Sequence, residues 1–503
     1  MATLRDMPAD FIVRNALIAD GTGAALTAGD VAVSGGRITE AAPGRHTVNL
    51  DANGELVCAP GFIDVHTHDD AALIRYPGME FKIAQGCTSV VIGNCGFSGF
   101  PALGSPALGL PALGFPGRGG QDAESIAGAT WPDLDGYRTA VEEGGFACNA
   151  MPLIGHNTVR MVTLGIEDQR EPSPAELAAM RDHVHRAMDQ GAAGLSTGLI
   201  YRPGKWAALG ELIAIAQAAA EHGGVYATHM RDEGAGLLDA VTEALTIGRE
   251  AGCPVHISHH KASGAPNWGK TAESLALIDA ADQDVTLDFY PYIASSGPMA
   301  EYVTPDTVTQ DWADHNQFAS CPPFPRYQGR NVAEVAAAEG ITVSDLVGQV
   351  LGAPGGQATI SIGFSMSEAD LITNVRHPRM MVGSDGIPEL DGLPHPRLFG
   401  TFPRIFAEYV RAERVIALEE AVRRMTSLAA DRFGLAGRGR IEDGAHADLV
   451  VFDPAAIRDT ATFQDPKREP EGIHWVLVNG RLVYDRGRHT GDRPGALLRY
   501  RPR

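Results

Sequence analysis

Between residues 58 and 435, short apolar runs alternate with longer stretches whose apolar positions recur every three to four residues. The runs fall at 62–66, 89–93, 150–154, 194–196, 225–229, 255–259, 286–290 and 380–384 and read as buried strands. The stretches 174–190, 209–222, 236–251 and 271–281 carry the spacing of amphipathic helices. Eight strands alternating with helices predict an α/β fold, a (β/α)8 barrel. The chain ends have a different texture. Runs at 11–19, 30–33 and 37–39, and again at 448–452, 475–478 and 481–484, are brief and broken by Gly, Asp and Asn turns, with Asn479-Gly480 a strong hairpin signal. Neither end is long enough to bury a core. The expectation is one small β-sandwich built from residues 1–57 and 436–503, with the barrel, 58–435, inserted between them.

Two segments interrupt the alternation. Residues 291–379 separate the last two strands, too far for a plain connection, and carry helical spacing at 331–340 and 344–351. They predict a lid over the barrel mouth, about 291–355. Residues 101–115 repeat Pro-Ala-Leu-Gly-X three times, a density of Pro and Gly that reads as an apolar loop at the pocket rim.

Composition narrows the function. The 503 residues are 44% apolar, enough for a large core, and carry 62 Asp and Glu against 41 Lys and Arg, a net charge of −21. No basic stripe is present, which argues against a nucleic-acid partner. No signal-peptide pattern or membrane-length apolar run occurs. The six cysteines, without a Cys-x-x-Cys pair, read as free thiols in a reducing cytoplasm. The expected partner is a small-molecule substrate.

The candidate chemistry sits where barrel enzymes build their sites, at the C-terminal ends of strands. His66-Thr-His68 ends the first run, and residues two apart on a strand point the same way. Cys95 follows the second run, His229 ends the fifth, His259 ends the sixth, and Asp385 follows the eighth. Each alone is weak: a lone cysteine is more often a packed thiol, and Ser384-Asp385-Gly386 is an ordinary turn. Together they converge at a barrel mouth as six N, S and O donors for two divalent ions, and imidazole with thiolate favours zinc. The other histidines are assigned to packing: His183, His185 and His222 to helical stretches, His46, His446, His474 and His489 to the sandwich. His256 is read as having nothing acidic nearby. His260 is the close case, because alternation lets only one of His259 and His260 face the mouth easily.

His66-Thr-His68, the terminal sandwich and Asp385 resemble the metal-dependent amidohydrolase superfamily. The strings 61–70, Asn94-Cys-Gly96, Ser258-His-His-Lys261, Asp288-Phe-Tyr-Pro-Tyr292, Gly383-Ser-Asp-Gly386 and His395-Pro-Arg397 are similar to those of its N-acyl-D-amino-acid deacylases (D-aminoacylases). The fourth run, 194–198, lacks the metal-bridging lysine of many binuclear relatives, and Lys205 lies beyond it in a Pro-Gly loop. The resemblance implies a tight zinc site of Cys95, His229 and His259. It implies a weaker second site of His66, His68 and Asp385 sharing Cys95. Asp385 would be the general base, and Lys261, Tyr290 and Arg397, with Ser296 assisting, would hold the substrate's α-carboxylate, though Tyr290 and Tyr292 compete for one role. The implied reaction is hydrolysis of N-acyl-D-amino acids. Ring opening of a cyclic amide, D-dipeptide hydrolysis and a non-catalytic scaffold stay open as alternatives. Arg326 and Arg330 in the lid read as exposed arginines, with an acidic substrate side chain as their other possible partner.

Overall fold

The computed structural model describes residues 10–39, 48–102 and 131–501. Eight parallel strands form the barrel: Phe62–Asp64, Cys87–Ile92, Asn149–Pro152 continued by Ile154–Gly155, Gly194–Gly198, Val225–His229, Val255–Ile257, Val285–Phe289 and Met380–Val382. Ladders join strands one to three and, separately, three to eight in the order 3-4-5-6-7-8. The ring closes where Thr67 pairs in parallel with Gly386 and the Asp385 N–H donates to the His66 carbonyl at 2.7 Å. Several runs end earlier than the apolar pattern suggests. Strands one, six and eight stop at Asp64, Ile257 and Val382, so His66, His259 and Asp385 lie on the turns just beyond.

Local sequence explains the helices that wrap this ring. In Pro174–Asp189, Ser173 accepts from the Glu176 N–H while Glu176 reaches back to the Ser173 N–H, a capping box with proline in the first turn. The interior is filled by Ile63, Val91, Met151, Ala227 and Met381, clustered with Phe433.

Strands from both termini make one nine-stranded sheet, ordered 488–489, 481–485, 473–478, 449–452, 57–60, 11–18, 27–34, 37–39, with 48–51 also pairing on 11–14. Its central strands are apolar on both faces for a visible reason. Cys58, Leu449 and Val451 belong to the sheet's own core, while Val57, Ala59, Val450 and Phe452 join the main core with Phe62 and Phe406. Period-two alternation thus welds the sheet to the barrel.

Between barrel strands seven and eight, Ala294–Pro298, Asn316–Ser320 and Ile360–Phe364 form an antiparallel three-stranded sheet with the 360–364 strand in the middle. Helices Val332–Glu339 and Val343–Gly352 pack beside it over Phe318, Tyr327, Val335 and Val347. His46 and residues 103–115 of the repeat lie outside the described residues. Among the described residues, no helix is long and apolar enough to cross a membrane.

Candidate metal centre

Past the first strand, the Thr67 hydroxyl donates to the Val91 carbonyl at 2.9 Å, and alternation leaves His66 and His68 together on the mouth side, ring centroids 5.7 Å apart. Past the second strand the chain turns sharply. Gly93, Cys95 and Gly96 all have positive φ, and a side chain on Gly96 would run into the Asn157 side-chain oxygen at 2.3 Å. That turn swings the Cys95 sulfur towards the mouth, where it lies 3.3 Å from His66 Nε2, 3.5 Å from His259 Nε2 and 3.6 Å from His229 Nδ1. Asp385 Oδ1 faces His68 Nε2 at 3.1 Å and His66 Nε2 at 3.6 Å. Cys95, His259 and Asp385 are non-glycine residues at φ of 53°, 35° and 49°. Such backbone is costly and gathers where the surrounding structure holds a functional group in place.

The set fits a metal on its own chemistry. His66, His68 and Cys95 form one group of donor atoms within 4.8 Å of one another, and Cys95, His229 and His259 form another, all five side chains being buried. His229 Nε2 is buried without a hydrogen-bond partner. Burial pushes the Cys95 thiol up, but His66 and His259 pull harder and hold it well below the usual thiol range, as a thiolate. Burial likewise pushes the Asp385 carboxyl up, and Arg397, with help from His68, holds it well below the usual range.

A ring of supporting residues orients these donors. Asp288 is the main one: its Oδ2 takes His66 Nδ1 at 3.2 Å and His256 Nε2 at 2.9 Å, while its Oδ1 accepts the His259 N–H at 3.0 Å. The expectation that His256 has no acidic neighbour is therefore corrected. The carboxylate comes from the adjacent strand, where no sequence spacing reveals it. Glu233 Oε1 meets His259 Nδ1 at 2.8 Å and accepts from Lys261 Nζ at 2.6 Å. Behind the mouth, buried Lys82 donates to Asp64 at 2.7 Å and to the Ser384 hydroxyl at 2.8 Å, next to Asp385. Asp288 and Glu233 had a signal: the first is a carboxylate inside an apolar strand, and the second follows four residues after the strand-ending His229. Lys82 had none.

Beside the cluster lies a cavity of about 300 Å³, at the small end for small-molecule sites. Lys261, Tyr290, Ser296 and Asp385 line it, as does Tyr302 from the lid. Tyr292 instead packs against Arg404 and His395, with ring-to-guanidinium and ring-to-ring distances of 4.9 and 5.1 Å. Arg397 is buried, stacks 4.4 Å over Tyr290, contacts Asp385 Oδ2 at 3.0 Å and donates to the Ser296 carbonyl at 3.1 Å. His395 clasps this corner: it accepts the Arg397 N–H at 3.0 Å and donates to the Ala294 carbonyl at 2.9 Å, tying the arginine to the lid strand. His260 turns away to Asn374 and Ser274 at 2.9 and 2.7 Å, and Lys205 stacks on Trp206 outside the cavity.

A parallel barrel with imidazoles, a thiolate and a carboxylate gathered at its C-terminal mouth is the architecture of a metal-dependent hydrolase. The family model described as "Amidohydrolase family" matches residues 49–303 and 298–484. D-aminoacylase of Alcaligenes xylosoxydans xylosoxydans is 42% identical over 99% of both chains, and the N-acyl-D-aspartate deacylase of the same organism is 41% identical over 99% of this chain and 97% of its own. A crystal structure of N-acyl-D-glutamate deacylase from Bordetella bronchiseptica, complexed with zinc and a phosphonate mimic of the tetrahedral intermediate, superposes with a TM-score of 0.88 at 38% identity, covering 98% of this chain and 100% of that one. The chain belongs to the amidohydrolase family and, within it, to the D-aminoacylase and N-acyl-D-amino-acid deacylase branch.

Proposed function

We propose that the protein is a zinc-dependent deacylase that hydrolyses N-acyl-D-amino acids to a carboxylate and a D-amino acid. The observation that carries this reading is the meeting of the Cys95 thiolate with three imidazoles at 3.3–3.6 Å beside the Asp385 carboxylate, in a chain 42% identical to a D-aminoacylase.

Cys95, His229 and His259 would hold one ion tightly, and His66, His68, Cys95 and Asp385 a second more weakly. The difference follows from charge: Asp385 shares its second oxygen with Arg397, so less of its charge is left for an ion. When bound, the metal supplies Lewis-acid chemistry, polarising the scissile carbonyl and acidifying the attacking water. Asp385 takes that water's proton and returns it to the departing amine. Its lowered pKa keeps it ionised for the first transfer throughout the neutral range. Lys261 and Arg397, braced on the Tyr290 ring at 5.6 and 4.4 Å, bind the α-carboxylate, with Ser296 beside them. Holding that carboxylate fixes which face of the α-carbon is presented.

The test is turnover of N-acetyl-D-methionine, its L-enantiomer, hydantoin and dihydroorotate by zinc-loaded protein. Hydrolysis of the D-compound above the rest is expected. Turnover confined to the cyclic amides would replace this reading with ring opening.

A further inference from the structure

Building on the deacylase reading, we propose that the site accepts N-acyl-D-amino acids with uncharged side chains and rejects those with acidic ones, because among the described residues its lining has no spare lysine or arginine to offer a second carboxylate.

Among the described residues, the cavity lining contains three carboxylates, Asp232, Glu233 and Asp385, against one lysine or arginine, Lys261. Lys261 is already paired with Glu233 at 2.6 Å, and Arg397, which reaches the same corner, is paired with Asp385 at 3.0 Å. The α-carboxylate that every such substrate carries competes for these two cations. Among the described residues, and apart from the lining acids and the metal-facing histidines, a side-chain carboxylate then meets neutral walls. Ser295, Trp312, Asn316 and Ser361 supply them from the lid, together with the Tyr201 and Tyr302 hydroxyls, which bond each other at 3.0 Å.

The nearby arginines are committed elsewhere. Arg202 is held by Glu301 at 2.7 Å and Glu167 at 2.9 Å. Arg326 stacks on Tyr327 at 4.6 Å and points to Glu339, and neither it nor Arg330 lines the cavity. Burying an unpaired carboxylate against such a wall is costly. A site that leaves a buried polar group unpartnered discriminates by at least about 100-fold. Two relatives named for D-aspartate and D-glutamate show that side-chain charge is a variable within this family.

The experiment measures kcat/KM of the zinc-loaded full chain for the N-acetyl derivatives of D-methionine, D-leucine, D-aspartate and D-glutamate. Methionine and leucine should exceed both acidic substrates by about 100-fold or more. Equal or reversed ratios overturn the inference while leaving the deacylase reading standing, and no turnover of any D-substrate overturns both. Trp312→Arg, which puts a cation into the wall, should raise the acidic-to-neutral ratio about 10-fold while D-methionine turnover reports that the variant is folded. A folded variant with an unchanged ratio counts against the inference, and the wild-type ratios decide it independently of that variant.

Discussion

The two halves of the candidate metal centre share one sulfur and differ in what stands behind them. On one side, His259 is backed by Glu233 at 2.8 Å, whose carboxylate is held well below its usual range: burial raises it, and Lys261, His229 and His259 outweigh that. On the other, His66 is backed by Asp288, but the half-site's carboxylate, Asp385, is tied to Arg397 at 3.0 Å. A carboxylate behind an imidazole strengthens it as a ligand, whereas a carboxylate paired with a guanidinium has less to give. On the proposed reading, the first half is arranged to retain an ion and the second to hold one loosely while moving a proton.

Breaking the shared atom should have the largest effect. Cys95→Ala is expected to lower metal content in both halves and to abolish nearly all turnover, by inductively coupled plasma analysis and assay. Full occupancy in that variant would mean the thiol only packs. Next, Asp385→Ala should cut kcat by about 10²–10⁴-fold, the usual worth of a general base, while the tight ion stays bound. Near-normal turnover would assign the proton to another group.

Smaller changes separate the halves. Asp288→Asn loosens His66 and the His259 backbone together, and a 10–100-fold loss of zinc affinity at both sites is expected in chelator-competition titrations. Glu233→Gln should weaken the Cys95–His229–His259 half alone. Equal effects of the two variants on both sites would erase the distinction.

The smallest effect on the centre is expected away from it. Glu211, buried with His156 at 2.8 Å and in contact with Arg160, is pushed up by burial but brought below its usual range by those two partners. Its folded-state pKa lies below the unfolded value of about 4.3, so the stability it contributes is complete above that pH and is lost as pH falls further. Glu211→Gln should therefore lower the thermal midpoint at neutral pH and flatten its acid dependence, with metal content unchanged. A loss of metal would link this cluster to the mouth.

Much of this molecule follows from the chain order of its residues. The period of the apolar runs yields the barrel, because a strand buried on both faces needs continuous apolar residues and its connecting helix needs a single stripe. The terminal strands are legible through their turns, and the six donors through their positions at the ends of those runs. Which donor each support reaches is not legible. Asp288 reaches His256 from the neighbouring strand, Lys82 reaches Ser384 across a separation of 302 residues, and His395 clasps Ala294 across 101. Nor does strand alternation give the left-handed turns that aim Cys95, His259 and Asp385 inward, since those turns lie beyond where each strand ends. Side-chain periodicity is a local property of the backbone, whereas the charge beside a buried group depends on which strands become neighbours, and that is decided only when the ring closes.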